Sequence, residues 1–437
     1  MKNPFGLISL VVLLVLCFLY TDISVFGVGL PVVLMLYLIV SGLLIANYSG
    51  RAIGSIGLRK VIFPVTLWYL LFSMCFVLAL FLSGSLSSDI RYATSLTLQF
   101  LWFPALYLAY RYRPKAFSVA LRVGVAFSGL ILIVSLLLGI LSSGDLLTLR
   151  NASSFVTHGD GFFLIPDVLD NPNRAARSAL LLLFIGLVHQ LTMRSRRKRY
   201  WRLFNVAMSL FIVLSFSRAC IVGLLVLWLV YMFFLRNQGW KGRATNLVIG
   251  IVVMLSLFFT AVLVLPGIGD RFEKGMVSLL EARDSYRNEQ VLAREMTIRA
   301  RTWAASMLII RDNPVSGVGV GNALVEMGNY GAVASKGGVE QPVWVHGGFL
   351  KVALYGGMLS IIPMVLFLIR LGFKYLQTAA IVGRKLPSTK ELSWLSVGLL
   401  VATVPVNVGA DSFGYSMTWF VFALPVCVLA TRNVETI

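Results

Sequence analysis

The chain has 437 residues, of which 58% are hydrophobic and 13% charged, with a mean hydropathy of +0.86. A soluble globular domain carries about 25% charged residues, so this composition excludes one and points to a polytopic membrane protein. The net charge of +20 is no nucleic-acid signature, because the basic residues gather in alternate short loops and not on one surface.

Apolar stretches near 20 residues recur along the chain. Each is long enough to cross a bilayer, and backbone groups in lipid must be satisfied within the segment, so helices are expected. About twelve spans are predicted on this basis: 5–20, 25–46, 61–82, 93–109, 117–141, 178–193, 203–216, 219–235, 245–265, 347–369, 392–408 and 413–430. The first follows Met1-Lys2-Asn3-Pro4 and has no small-x-small cleavage site, so it reads as an uncleaved helix. The seventh is short.

An even number of spans places both termini on one side. The basic loops 51–60, 111–115, 194–202, 236–243 and 374–390 share that side, which is predicted to be cytoplasmic. The opposite short loops are poorer in Lys and Arg; one holds Asp89 and Arg91, another Asp411. Two outer loops are long, 142–177 and 266–346. The second holds nine of the 18 acidic residues, as a long translocated loop can without violating the charge rule. No internal repeat or linker divides the chain, so 1–437 is predicted to be one membrane domain with an outer cap. Cys17, Cys75, Cys220 and Cys427 lie in apolar stretches without metal-ligand spacing and read as free, buried thiols.

The first half of the large loop is predicted to be helical. Met296, Ala300, Trp303, Met307 and Ile310 fall on one face. The helix is expected to stop near Asn313-Pro314, because the residue before proline avoids helical geometry. The run Gly317-Val318-Gly319-Val320-Gly321-Asn322 reads as a flexible connection.

Few residues here carry chemistry. His346 is one of three histidines and stands where the loop re-enters the membrane, in Trp344-Val345-His346-Gly347-Gly348. With a reference pKa of about 6.5 it accepts a proton near neutrality, and Lys351, just over a turn away, would help keep it neutral. The alternative is a structural histidine hydrogen-bonded at a helix start. Arg299 and Arg301 are candidates for a diphosphate, which arginine binds bidentately with a permanent charge. Against this, Glu295 precedes Arg299 by four residues, the spacing of a helical ion pair worth about 0.3–0.5 kcal/mol.

Arg218 separates two apolar spans in Phe216-Ser217-Arg218-Ala219. At mid-membrane its charge would cost about 2.5–3.5 kcal/mol, so it should reach a polar cavity or the interface; a snorkelling arginine is the plainer reading. Arg174, in Asn171-Pro172-Asn173-Arg174, precedes the sixth span as a further candidate or as an ordinary interfacial arginine. There is no Asp-x-Asp pair, no GxxxxGK[ST] and no HExxH, so neither a metal nor a nucleotide cofactor is expected. His158 near Asp160 does not make a metal site, and His189 reads as structural.

Taken in order, these residues resemble the bacterial O-antigen ligase and polymerase superfamily. The resemblance rests on Asn-Pro-Asn before a span (Asn171 to Asn173) and Ser-Phe-Ser-Arg at an outer junction (Ser215 to Arg218). Arg-x-x-x-Trp follows (Arg299, Trp303), then Asn-Pro-x-x-Gly-x-Gly-x-Gly-Asn (Asn313 to Asn322), and last a histidine opening a span with Gly-Gly ten residues on (His346, Gly356, Gly357). Many relatives follow this histidine with Asn or Ser; Gly347 stands there in this chain.

The resemblance implies an all-α, GT-C-like membrane fold with the large helical periplasmic loop between the ninth and tenth helices. It implies a bacterial inner-membrane protein with an undecaprenyl-diphosphate-linked glycan donor. In the ligase branch the acceptor is lipid A–core oligosaccharide in the periplasmic leaflet. His346 would then be the general base, with Arg218 and Arg299, and secondarily Arg301 and Arg174, binding the diphosphate. Charge stabilisation by arginine makes a metal dispensable, and one base with one displacement implies inversion. An O-antigen polymerase, with a lipid-linked glycan as acceptor, is the nearest alternative. A lipid-glycan transporter is disfavoured, because the span centres are almost free of Asp, Glu and Lys and no repeat is visible. A structural scaffold explains neither the arginines nor His346.

Overall fold

The computed structural model describes residues 4–19, 24–25, 28–48, 62–142, 172–192, 195–215, 217–234, 245, 248, 298–336, 339–345, 347–382, 387–409 and 416–435. They are almost wholly helical. The helices are α1 (Pro4–Leu19), α2 (Leu30–Tyr48), α3 (Phe63–Leu82), α4 (Leu86–Leu98), α5 (Trp102–Tyr112), α6 (Pro114–Ser142), α7 (Pro172–Thr192), α8 (Ser195–Leu214) and α9 (Arg218–Phe234). After them come α10 (Ile298–Asp312), α11 (Val320–Asn329), α12 (Gly348–Val382), α13 (Pro387–Gly409) and α14 (Ser416–Glu435). Two antiparallel hairpins interrupt them, β1 (Ser24–Val25) with β2 (Val28–Gly29), and β3 (Val333–Lys336) with β4 (Val339–Pro342).

Helix α3 shows why such elements need lipid. Val65, Tyr69, Phe72, Phe76 and Leu80 are buried at helical spacing, while Phe63, Leu67, Leu71, Met74, Leu78 and Phe81 stay exposed. A soluble amphipathic helix turns polar side chains outward; here both faces are apolar, and the outer one suits hydrocarbon. Among the described residues, three helices are long and apolar enough to cross a membrane: Phe63–Leu82, Pro114–Ser135 and Gly348–Gln377. Shorter apolar helices include Pro31–Asn47, Ala175–Leu191, Ala219–Tyr231 and Met417–Val428. Together they suggest a multi-pass membrane protein.

Aromatic rings lock the bundle at Tyr69. Its ring meets those of Phe103 on α5, Phe367 on α12 and Trp419 on α14, with centroids 6.5, 5.3 and 4.9 Å away. Its hydroxyl donates to the Leu96 carbonyl at the end of α4, at 2.7 Å. Each aromatic pair contributes about 0.5–1.5 kcal/mol beyond area burial, so one side chain of α3 ties four other helices to it.

Each predicted span coincides with a helical segment except the ninth, which lies outside the described residues apart from Thr245 and Val248. Several edges need correction. The start of the second span is the β1–β2 hairpin. The fourth is two helices, α4 and α5, joined by a 3-10 turn at Gln99–Leu101. The basic loop 194–202 is helical from Ser195, because Arg and Lys are good helix formers and reach water from a helix end by extending their side chains. The outer loop 142–177 gives way to α7 at Pro172, a residue suited to a first helical position; residues 143–171 lie outside the described residues. Cys17, Cys220 and Cys427 are buried as expected, whereas Cys75 is half-buried. His189 is buried, with its ring 4.7 Å from that of Trp201, as a structural histidine would be.

Candidate active site

The cap begins with α10. Its buried face is made of small side chains, Ala300, Ala304 and Ala305, with Ile309 at its end, and Trp303, Met307 and Ile310 pack partly against the same core. Small residues let this helix lie close against α12. Met296, predicted on this face, lies outside the described residues. The helix stops where proline predicts, and the Asn313 side chain caps it by donating to the Ile309 carbonyl at 3.2 Å.

The glycine run that follows is not a flexible connection. The Val318 and Gly319 N–H groups donate to the carbonyls of Leu354 and Tyr355 on α12, at 2.9 and 3.0 Å. In return, Met358 and Leu359 donate to the Pro314 and Val315 carbonyls, at 2.8 and 3.2 Å. These bonds form because α12 is broken at Gly357, where φ is +55° and ψ −153°. A helix break frees carbonyls and N–H groups that cannot stay unpaired when buried, and the loop supplies their partners. Both segments approach too closely for a side chain. A Cβ on Gly317 would lie 2.5 Å from the Leu354 oxygen, and one on Gly357 would lie 2.3 Å from the Val315 oxygen.

The β3–β4 hairpin leads toward α12. Val343 extends it by donating its N–H to the Ala332 carbonyl at 2.9 Å. Trp344 is exposed and Val345 is buried. Gly347 then opens α12, its carbonyl accepting from the Lys351 N–H at 2.9 Å, with φ at +139°.

His346 itself lies outside the described residues, and its flanks are the ones just placed. Arg301 sits in α10, half-buried, with a buried Nε that has no hydrogen-bond partner among the described residues. Arg299 precedes it on α10, Arg218 is the first residue of α9, and Arg174 lies in the first turn of α7; their side chains lie outside the described residues. So does Glu295, the possible partner of Arg299.

The fold therefore gathers the candidates in two groups. The cap packs α10 with Arg299 and Arg301 onto α12, the helix that follows His346. Helices α7 and α9 pack side by side and bring together the segments of Arg174 and Arg218. The second group includes a residue that sequence reasoning passed over. Arg177 is buried, and its charge acts on Cys220, two residues beyond Arg218. The available signal was its spacing of three from Arg174, which puts both on one helical face.

Residues 203–365 match the family model described as O-antigen ligase. This segment of the chain is similar to the O-antigen ligase family. The matched segment contains Arg218, Arg299, Arg301, His346 and the Gly356-Gly357 break; Arg174 and Arg177 precede it. The family's chemistry is transfer of lipid-linked glycans, by ligases and polymerases. No curated protein matches the chain.

Proposed function

We propose that this protein is an O-antigen ligase, an inverting, metal-independent glycosyltransferase of the bacterial inner membrane. It moves a glycan from undecaprenyl diphosphate to lipid A–core oligosaccharide in the periplasmic leaflet. The observation that carries the reading is the O-antigen ligase match, which takes in four of the five candidate residues. The chain is one membrane domain with both termini cytoplasmic, and its loops 142–177 and 266–346 face the periplasm.

In this reading His346 takes the proton from the acceptor hydroxyl as its oxygen attacks the anomeric carbon. The bond from that carbon to the diphosphate oxygen breaks, and undecaprenyl diphosphate leaves with the electron pair. Arg218, Arg299, Arg301 and Arg174 hold the departing charge. Fixed guanidinium groups in a site shielded from water stabilise such charge strongly, so the reading needs no cofactor. One displacement inverts the configuration.

The test is transfer by purified protein from undecaprenyl-diphosphate glycan to lipid A–core, with chelator present. Glycosylated lipid A–core with inverted configuration is expected. Elongation of the lipid-linked glycan alone would make the protein a polymerase, and a strict need for magnesium would overturn the mechanism.

A further inference from the structure

Asp89 is a buried carboxylate far in sequence from His346 and from every candidate arginine. It lies in the first turn of α4, after the tight turn Ser83-Gly84-Ser85 that ends α3. It accepts two backbone hydrogen bonds from the cap, from Val320 N–H to Oδ2 at 2.5 Å and from Gly321 N–H to Oδ1 at 2.6 Å. These two amides open α11. Charge-assisted bonds of this kind are about twice as strong as neutral ones, and the positive end of the helix dipole favours the carboxylate further.

The contact has no slack. Gly319 has φ at +79°, and a Cβ there would lie 1.8 Å from Ser85 Oγ and 3.0 Å from Asp89 Oδ2. One turn along α4, the ring of Tyr92 meets that of Tyr355 edge-on, with centroids 5.6 Å apart. The Tyr355 carbonyl is the one that accepts from Gly319. Helix α4, the glycine loop and the break in α12 therefore form one three-way joint.

The joint lies between the arginine helix α10 and the helix that follows His346. The loop begins where α10, the helix of Arg299 and Arg301, ends. The break it fills closes the first segment of α12, a rod of about two and a half turns that starts just after His346. Fixing the loop to α4 fixes the rod that follows His346 relative to the arginine helix.

We propose that Asp89 is a positioning residue for glycan transfer. It holds the cap so that His346 and the arginines meet the substrate in register. The proposal rests on the transferase reading above. A displacement of about 1 Å at the reacting groups can cost on the order of 100-fold in rate, so loosening the joint should act on turnover more than on donor binding.

Two variants attack the same bonds from opposite sides. Asp89→Asn turns an N–H2 toward an N–H. Val320→Pro deletes one donor at the first position of α11, where proline is well tolerated, and the ψ of 168° at Gly319 is compatible with a following proline. The measurement is steady-state transfer by full-length protein in detergent, with thermal unfolding alongside and wild type and His346→Ala as references. At least one variant should remain folded, with kcat down tenfold or more and donor KM within about twofold of wild type. The double variant should lose little more than the worse single one. A folded variant of either kind with wild-type kcat, or losses that only track the folded fraction, would overturn the positioning role and leave the transferase reading standing. A wild type that transfers nothing would overturn both.

Discussion

Arg301 is the functional candidate whose side chain the fold describes most directly. Its Nε is buried with no partner among the described residues; a guanidinium nitrogen left so is costly, and a ligand would supply the missing acceptor. Arg301→Met should therefore leave thermal stability in detergent unchanged or raised, while donor KM rises several-fold. A clear fall in stability with unchanged KM would show that the side chain serves the fold. The exposed pair at the end of the cap behaves differently. The Tyr330 hydroxyl donates to Asp312 Oδ2, and this bond, with a smaller contribution from Arg311, holds the carboxyl below its usual value of 3.8; the same bond raises the Tyr330 phenol above 10.0. A lowered carboxyl pKa contributes stability that is full above the unfolded value and is lost as pH falls through the folded one. A raised phenol pKa contributes stability that is full below the ordinary phenol value and is lost as pH rises through its folded one. Tyr330→Phe should cost about 0.5–1 kcal/mol near neutrality, and less at a pH acid enough to protonate the carboxyl. Thermal unfolding at the two pH values checks this, and an equal loss at both would contradict it.

The element scale separates what sequence discloses from what it hides. Helix α10 was legible, both in its apolar face and in its stop at Asn313-Pro314, because periodicity and proline geometry act locally. The glycine run was not. Flexibility is the local reading of Gly317 to Gly321, but the amides that order it pair with carbonyls some 36 residues on, and local patterns do not report such pairing. The break at Gly357 was hidden for the same reason, since hydropathy runs smoothly through it. Asp89 was visible as an outer-loop acid with no stated role, and its partners lie 231 and 232 residues away. Two glycines on α12 test the joint. Gly357→Ala forces a side chain into a backbone region used almost only by glycine, at about 1–3 kcal/mol, and onto the Val315 carbonyl, so folded protein should fall sharply. Among the described residues Gly372→Ala meets nothing nearer than Leu400 Cδ1 at 3.6 Å, and it should be neutral or better, as alanine favours a helix. Equal yields and melting temperatures for the two would refute the joint.

At the scale of the whole molecule, hydropathy located the helices because a bilayer forces apolar side chains onto outward faces as well as inward ones. It could not order the packing, which depends on side chains such as Tyr69 joining helices that are distant in the chain. The ordered motifs point to the family through residue order alone, and residues 203–365 match its O-antigen ligase model. The fold adds that the motif glycines build a joint between the arginine helix and the helix that follows His346. General-base catalysis is worth about 10²–10⁴ in rate, which makes removal of the base a sharp probe. Transfer to lipid A–core by wild type and His346→Ala should be measured side by side, in chelator, with the folded fraction of each determined. Wild-type transfer with at least a hundredfold loss in a fully folded variant is the predicted result. Transfer by His346→Ala at the wild-type rate would contradict the assignment of the base.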